Sequence, residues 1–132
     1  MSQSFFVGRD DIPAKHTNEK QRYFLNRAAR MAMKSTMTHK HGAVIVRGDE
    51  IIAEGFNHHY VHMYHRFSIH AEADAIYKVK RHPNLPDCEL YVVRIGPQCL
   101  KYSKPCADCR KCIEKHGIKK TYYSTNDAWK NE

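Results

Sequence analysis

His70, Glu72, Cys106 and Cys109 are the residues of this chain whose types and spacing suit joint chemistry. They stand in two short segments, His70-Ala71-Glu72 and Pro105-Cys106-Ala107-Asp108-Cys109. One imidazole and two thiols match zinc, which takes nitrogen and sulfur ligands in tetrahedral geometry. In catalytic sites zinc keeps one position open for water. His70, Cys106 and Cys109 would fill the three protein positions. Glu72 would then be a base beside the metal and not a ligand.

Two helices must position these groups. Ala75, Ile76 and Val79 recur at helical spacing within Ile69 to Lys80, and Glu72 falls on the same apolar face. A buried carboxylate is costly without a partner, and a nearby cationic centre with its water is such a partner. Pro105 suits the start of a second helix and Gly117 its stop after His116. Cys106 and Cys109 then share its first turn, where the helix dipole favours thiolate. Cys112 extends the pattern to C-x-x-C-x-x-C, which alone would fit a second metal site. At helical spacing it joins Cys109, Ile113 and His116 on a core-facing side, and the expectation is a buried thiol.

The order H-x-E then P-C-x-x-C, each at a predicted helix start with a strand between them, resembles the cytidine and deoxycytidylate deaminase superfamily. The resemblance covers roughly Gly42 to Thr125. It implies an α/β chain with a three-layer α/β/α cytidine deaminase-like fold. It also implies zinc on His70, Cys106 and Cys109 and proton transfer by Glu72 during hydrolytic deamination of a cytosine base to uracil and ammonia. A Gly–aromatic–Asn triplet ends the second strand in that superfamily. Gly55-Phe56-Asn57 stands here, so the resemblance gives Asn57 a nucleoside contact, which an amide with both donor and acceptor can make. Substrate contacts are further expected at Ala71, Tyr102 and Ser103, which adjoin the ligands in sequence. His70 to Ile76 looks like the deoxycytidylate form, except that Asp74 stands where an Asn is usual. The favoured substrate is a free cytosine nucleotide or nucleoside of the dCMP or CMP type. Editing of single-stranded nucleic acid, or of adenosine in transfer RNA, is the alternative. A zinc-binding module without turnover would keep the three ligands but has no need of Glu72.

Taken in order, Met1 to His16 reads as an extended lead-in. Asn18 with Gln21 marks a helix start, and Phe24, Ala28, Met31, Ala32 and Ser35 carry the helix to about Lys34. Ala43 to Arg47 and Ile51 to Phe56 form a predicted hairpin around Gly48-Asp49-Glu50. His39 and His41 fall in the polar break before it and are expected to be loop residues. His58 to Phe67 is read as a loop, with three uses open: substrate contact, a second zinc, or plain surface. His82 to Asp87 is a breaker, Glu89 to Ile95 a buried strand, Gly96 to Lys104 a loop, and Lys119 to Thr125 the last strand. Strands separated by helices favour parallel pairing, so the expectation is a mixed sheet of four to five strands with helices on both faces. The superfamily's fifth strand would have to come from the short tail after Thr125. Failing that, an uncovered edge would weakly favour a homo-oligomer.

At 132 residues the chain has the size of one deaminase domain with a real core. It lacks a run of about 18 apolar residues, and its N-terminus lacks an apolar signal core, so neither membrane nor secretion is expected. Five cysteines, three of them within Cys106 to Cys112, favour metal binding in a reducing, cytoplasmic setting over a disulfide framework. The net charge of +8 is dispersed, without a run of five or six like charges, and is compatible with phosphate-bearing partners.

Overall fold

The computed structural model describes residues 10–62, 65–79, 85, 87–97 and 100–125. The chain runs β1 (Asp10–Pro13), a 3-10 turn (Ala14–His16), α1 (Glu19–Ala32), β2 (Lys40–Arg47), β3 (Glu50–Phe56), β4 (His58–His62) and β5 (His65–Ile69). It continues with α2 (Ala71–Tyr77), β6 (Cys88–Ile95), β7 (Leu100–Lys101), α3 (Ala107–Lys115) and β8 (Lys120–Tyr123).

Alternating burial makes the sheet two-sided. Val44, Val46, Tyr91 and Val93 pack with Phe24, Leu25, Ala28 and Met31 of α1. Their neighbours Ala43, Ile45, Leu90 and Val92 pack the other way, against Ala71, Ala75 and Ile76 of α2 and Ile113 of α3. Side chains of successive strand residues point to opposite faces, so each strand feeds both cores. The result is the expected three-layer mixed α/β architecture.

The strand order is β1-β8-β6-β2-β3, with β7 pairing β6. β2 is antiparallel to both β3 and β6, whereas β6 and β8 run parallel. β3 and β6 therefore share a direction, as the helix between them requires, but β2 lies between the two. The sheet exceeds the expected four to five strands. The missing edge comes from the start of the chain: Asp10 to Pro13 pairs in parallel with Lys120 to Tyr123. Within the expected lead-in, Asp10 to Pro13 is thus a strand that covers the β8 edge that had favoured an oligomer, and residues 1–9 lie outside the described residues. Residues 126–132 lie outside the described residues. The expected His58–Phe67 loop is instead a separate antiparallel hairpin, β4-β5, with His58 opposite Ile69. The side chains of residues 60–67 lie outside the described ones, as do Cys99 and most of the 82–87 breaker.

Two close approaches set the helices on the sheet. A Cβ on Gly42 would meet the Ala28 carbonyl oxygen of α1 at 1.9 Å, and one on Gly55 would meet the Ala75 nitrogen of α2 at 2.5 Å. Only glycine at these two strand positions lets the helix backbones sit so near. α1 starts as predicted: Asn18 Oδ1 accepts the Gln21 N–H at 2.8 Å while Gln21 Oε1 accepts the Asn18 N–H at 3.0 Å. α2 is shorter than the predicted Ile69–Lys80, and His70 is its N-cap residue. Gly117, at φ 82°, follows the end of α3. Among the described residues no helix is long and apolar enough to cross a membrane.

Candidate active site

The N-terminal ends of α2 and α3 meet at one end of the sheet. His70 and Cys106 are the N-cap residues of these helices, and Cys109 lies in the first turn of α3. N-cap backbone is extended, so each side chain leaves its helix end toward the other. His70 Nδ1 lies 2.9 Å from Cys109 Sγ and 4.0 Å from Cys106 Sγ. The three donor atoms all fall within 4.8 Å of one another. Tetrahedral zinc ligands sit roughly 3.5–4 Å apart at the usual bond lengths. The Cys106 pair already has that spacing and the Cys109 pair needs a small opening. One nitrogen and two sulfurs are also a chemically fitting donor set, so the residues present fit zinc.

The electrostatics of the cluster agree with a cation there. Burial pushes the Cys109 thiol well above its usual value, and Glu72 and Cys106 push it further. A positive centre would offset this, because a coordinated thiol is held deprotonated. Glu72 is 5% exposed, and burial raises its carboxyl, opposed in part by its own backbone N–H, His70 and the Cys109 thiol. Its predicted place on the apolar side of α2 is therefore also a place beside the ligands. A raised carboxyl holds a proton more readily than a free one, which suits a group that takes and then returns protons.

A pocket opens over this cluster. Its wall includes His41, Asn57, His70, Ala71, Glu72 and Ser103. Asn57 is buried, its Oδ1 accepts the His41 N–H at 2.9 Å, and its Nδ2 donates to the His39 carbonyl at 2.6 Å. Those two bonds fix which way the amide faces and leave one N–H and one lone pair for other partners. Ala71 is fully buried at the start of α2. Ser103 lines the pocket, but its hydroxyl is engaged: it donates to the Val92 carbonyl at 2.9 Å and accepts the Ser124 N–H at 2.9 Å. It anchors the loop before Cys106 to β6. Tyr102 departs from expectation. It is 50% exposed, sets its ring edge-on against Tyr123 and does not line the pocket, because strand-like alternation turns it away from buried Ser103. Lys104, one residue on, lines the wall in its place.

Two further residues were not legible as site residues in the sequence. His41, expected to be a loop residue, is the second residue of β2 and part of the pocket wall. Burial, with Arg94, His70 and His39 nearby, pushes its imidazole down to about 4, against a hydrogen bond to the His39 backbone. Asp74 is 7% exposed and ties α2 to the β3–β4 junction on either side of Asn57. It accepts the Phe56 N–H at 3.1 Å, pairs with Lys78 Nζ at 3.0 Å and meets His58 Nε2 at 3.2 Å. Burial alone would raise its carboxyl, but the Lys78, Phe56 and His58 partners outweigh that and hold it below its usual value. An Asn here could accept the Phe56 N–H but could not form the Lys78 ion pair. Cys112 packs against the α2–α3 core but is only half-buried, less than expected, and Cys88 is buried.

A family model for the zinc-binding region of cytidine and deoxycytidylate deaminases matches residues 18–125. The chain belongs to this deaminase family. Among solved structures, this deaminase is similar to the dCMP deaminase of cyanophage S-TIM5, with 26% identity over 84% of this chain and 87% of that one and a TM-score of 0.63. It is similar also to the guanine deaminase of Bacillus subtilis, with 29% identity over 83% of this chain and 65% of that one and a TM-score of 0.56. The cytidine deaminase of Burkholderia pseudomallei shares the fold at 19% identity, covering 73% of this chain and 76% of that one, with a TM-score of 0.58. No curated protein sequence matches the chain.

Proposed function

We propose that this deaminase hydrolyses the exocyclic amine of a cytosine base in a free nucleotide or nucleoside, giving uracil and ammonia. The observation that carries the reading is the meeting of His70, Cys106 and Cys109 beside buried Glu72 in a pocket that also presents Asn57. His70 Nδ1 and the two thiolates would hold zinc, which supplies a Lewis acid for activating water when bound. Glu72 takes the proton of the attacking water at its carboxylate. It passes that proton to the ring nitrogen, then takes the remaining hydroxyl proton of the adduct and delivers it to the departing amine as the C4 carbonyl forms, so the carboxyl ends as it began. Asn57 offers its remaining N–H and lone pair to the nucleoside and holds it in register with Glu72. The similarity to a phage dCMP deaminase, another structure of which is a complex with dCMP and dUMP, supports a pyrimidine monophosphate. The guanine deaminase similarity supports a purine base as the second reading.

The test is product formation by the zinc-loaded protein on dCMP, CMP, deoxycytidine, cytidine, cytosine, guanine and a cytosine-containing single-stranded oligonucleotide. Turnover of a cytosine monomer with an inert oligonucleotide is the expected result. Guanine turnover alone selects the purine reading, and oligonucleotide turnover alone selects nucleic-acid editing. Glu72→Ala should keep one zinc per chain and lose at least about 10²–10⁴ in kcat, the usual worth of a general acid–base. Full activity in that variant would remove Glu72 from the mechanism.

A further inference from the structure

We infer that His41 is a specificity-determining residue of this pocket, accepting a hydrogen bond at its ring from an uncharged donor on the substrate, a sugar hydroxyl or a base N–H. The inference rests on the deaminase reading of the pocket and adds a residue to it. Its first support is position. The His41 N–H is bound by Asn57 Oδ1, the Asn57 N–H is bound by the His41 carbonyl at 3.2 Å, and the ladder sets His41 opposite Arg94. The backbone of His41 is therefore pinned to the residue that offers its amide to the nucleoside.

The second support is what the other polar groups of the wall are doing. Ser103 is engaged with Val92 and Ser124, Asn57 has given one donor and one acceptor position to residues 39–41, and Glu72 is needed for proton transfer. Ser68 and Lys104 are exposed. His41 is half-buried, and it lines the pocket wall. A neutral imidazole carries one donor and one acceptor nitrogen. The third support is charge. Burial disfavours a cation on this ring, and so does Arg94, which sits opposite His41 and contacts His39 through Nη2. An uncharged imidazole suits a hydroxyl or N–H and does not suit phosphate.

The experiment compares zinc-loaded wild type, His41→Phe, His41→Leu and His41→Gln on the same panel, with zinc content and Tm measured for each. The expected result is a KM raised about 10–100-fold in His41→Phe and His41→Leu, the loss that follows when a substrate donor is left unpaired in a pocket. kcat should stay within about threefold, since the group acts on binding and not on the reacting atoms. His41→Gln, which keeps an acceptor, should recover most of the KM, a rescue that a purely structural role would not give. A KM effect on nucleosides and dCMP but not on cytosine locates the donor on the sugar; an effect on all of them locates it on the base. The dCMP to deoxycytidine ratio should not move in any variant. Unchanged KM in folded, zinc-loaded His41→Phe or His41→Leu overturns the inference, as does a KM that Gln fails to restore. If guanine is the only compound consumed, the cytosine reading falls while the His41 inference is scored on the guanine KM.

Discussion

The two faces of the sheet are built to different rules. On the α1 face the buried set is apolar and aromatic. Phe24 lies 5.3 Å from Tyr91, and Tyr91 stacks on Tyr122 at 4.7 Å with an interplanar angle of 11°. On the α2–α3 face the small residues Ala71 and Ala75 let a helix press on Gly55, and beside them lie two buried carboxylates, Glu72 and Asp74. Burying a carboxylate costs free energy unless it is paired. The first face therefore stabilises the molecule, and the second holds groups that a stability argument alone would not select. The comparison teaches that α2 combines its own apolar burial through Ala71, Ala75 and Ile76 with close backbone contact and the Asp74 bonds, while the α1 core is apolar and aromatic.

The largest test of that division is Leu25→Ala, which deletes a fully buried side chain on the α1 face. It should cost about 2–5 kcal/mol in denaturant unfolding, with zinc content and KM unchanged in the folded fraction. A loss of KM at full folding would break the separation of the two faces. On the site face, Asp74→Asn keeps an acceptor for the Phe56 N–H but forfeits the Lys78 ion pair and perturbs His58. The expected cost is about 1–3 kcal/mol at pH 7, toward the lower end because Lys78 is half exposed. Asp74 is held below its usual value, so its contribution is present above the unfolded carboxylate range and fades as pH falls through the folded value. The gap between wild type and variant should therefore close below about pH 4, the unfolded Asp range. A gap that is the same at pH 3 and pH 7 would exclude an ionic origin. The smallest effect belongs to Asn18→Ala, which removes the α1 cap. A loss of about 1 kcal/mol is expected, seen as a lower denaturant midpoint with the same slope.

Much of this was readable along the chain because it rests on local rules. The Asn18–Gln21 capping box, the starts of α2 and α3, the hairpin around Gly48 and the burial of Glu72 all follow from spacing within one element or turn. The H-x-E and P-C-x-x-C segments likewise place nitrogen and sulfur donors at two helix starts before any tertiary contact is known. What was not readable depends on pairing between distant segments. Asp10 to Pro13 has too short and mixed a pattern to announce a strand; it becomes one because the β8 edge is there to accept it.

The site shows the same limit at a finer scale. Between Ile45 and Val46 the β2–β3 register shifts, so that Val46 faces Ile51 but Ile45 faces Ala53, with Ile52 as the extra residue. A one-residue shift exchanges the two faces of every position beyond it. That shift sets Gly42 opposite Phe56 and so brings His41 beside Asn57. By itself the sequence determined which groups can bind zinc, which carboxylate stands with them and which helices begin there, because those are properties of residue type and of spacing within a helix. The tertiary structure decided that Ser103 supports the loop, that Tyr102 turns away and that His41 enters the wall. The places of Ser103 and His41 depend on a strand partner or a register that no local rule specifies, and Tyr102 turns away because its neighbour Ser103 is the one bound to β6.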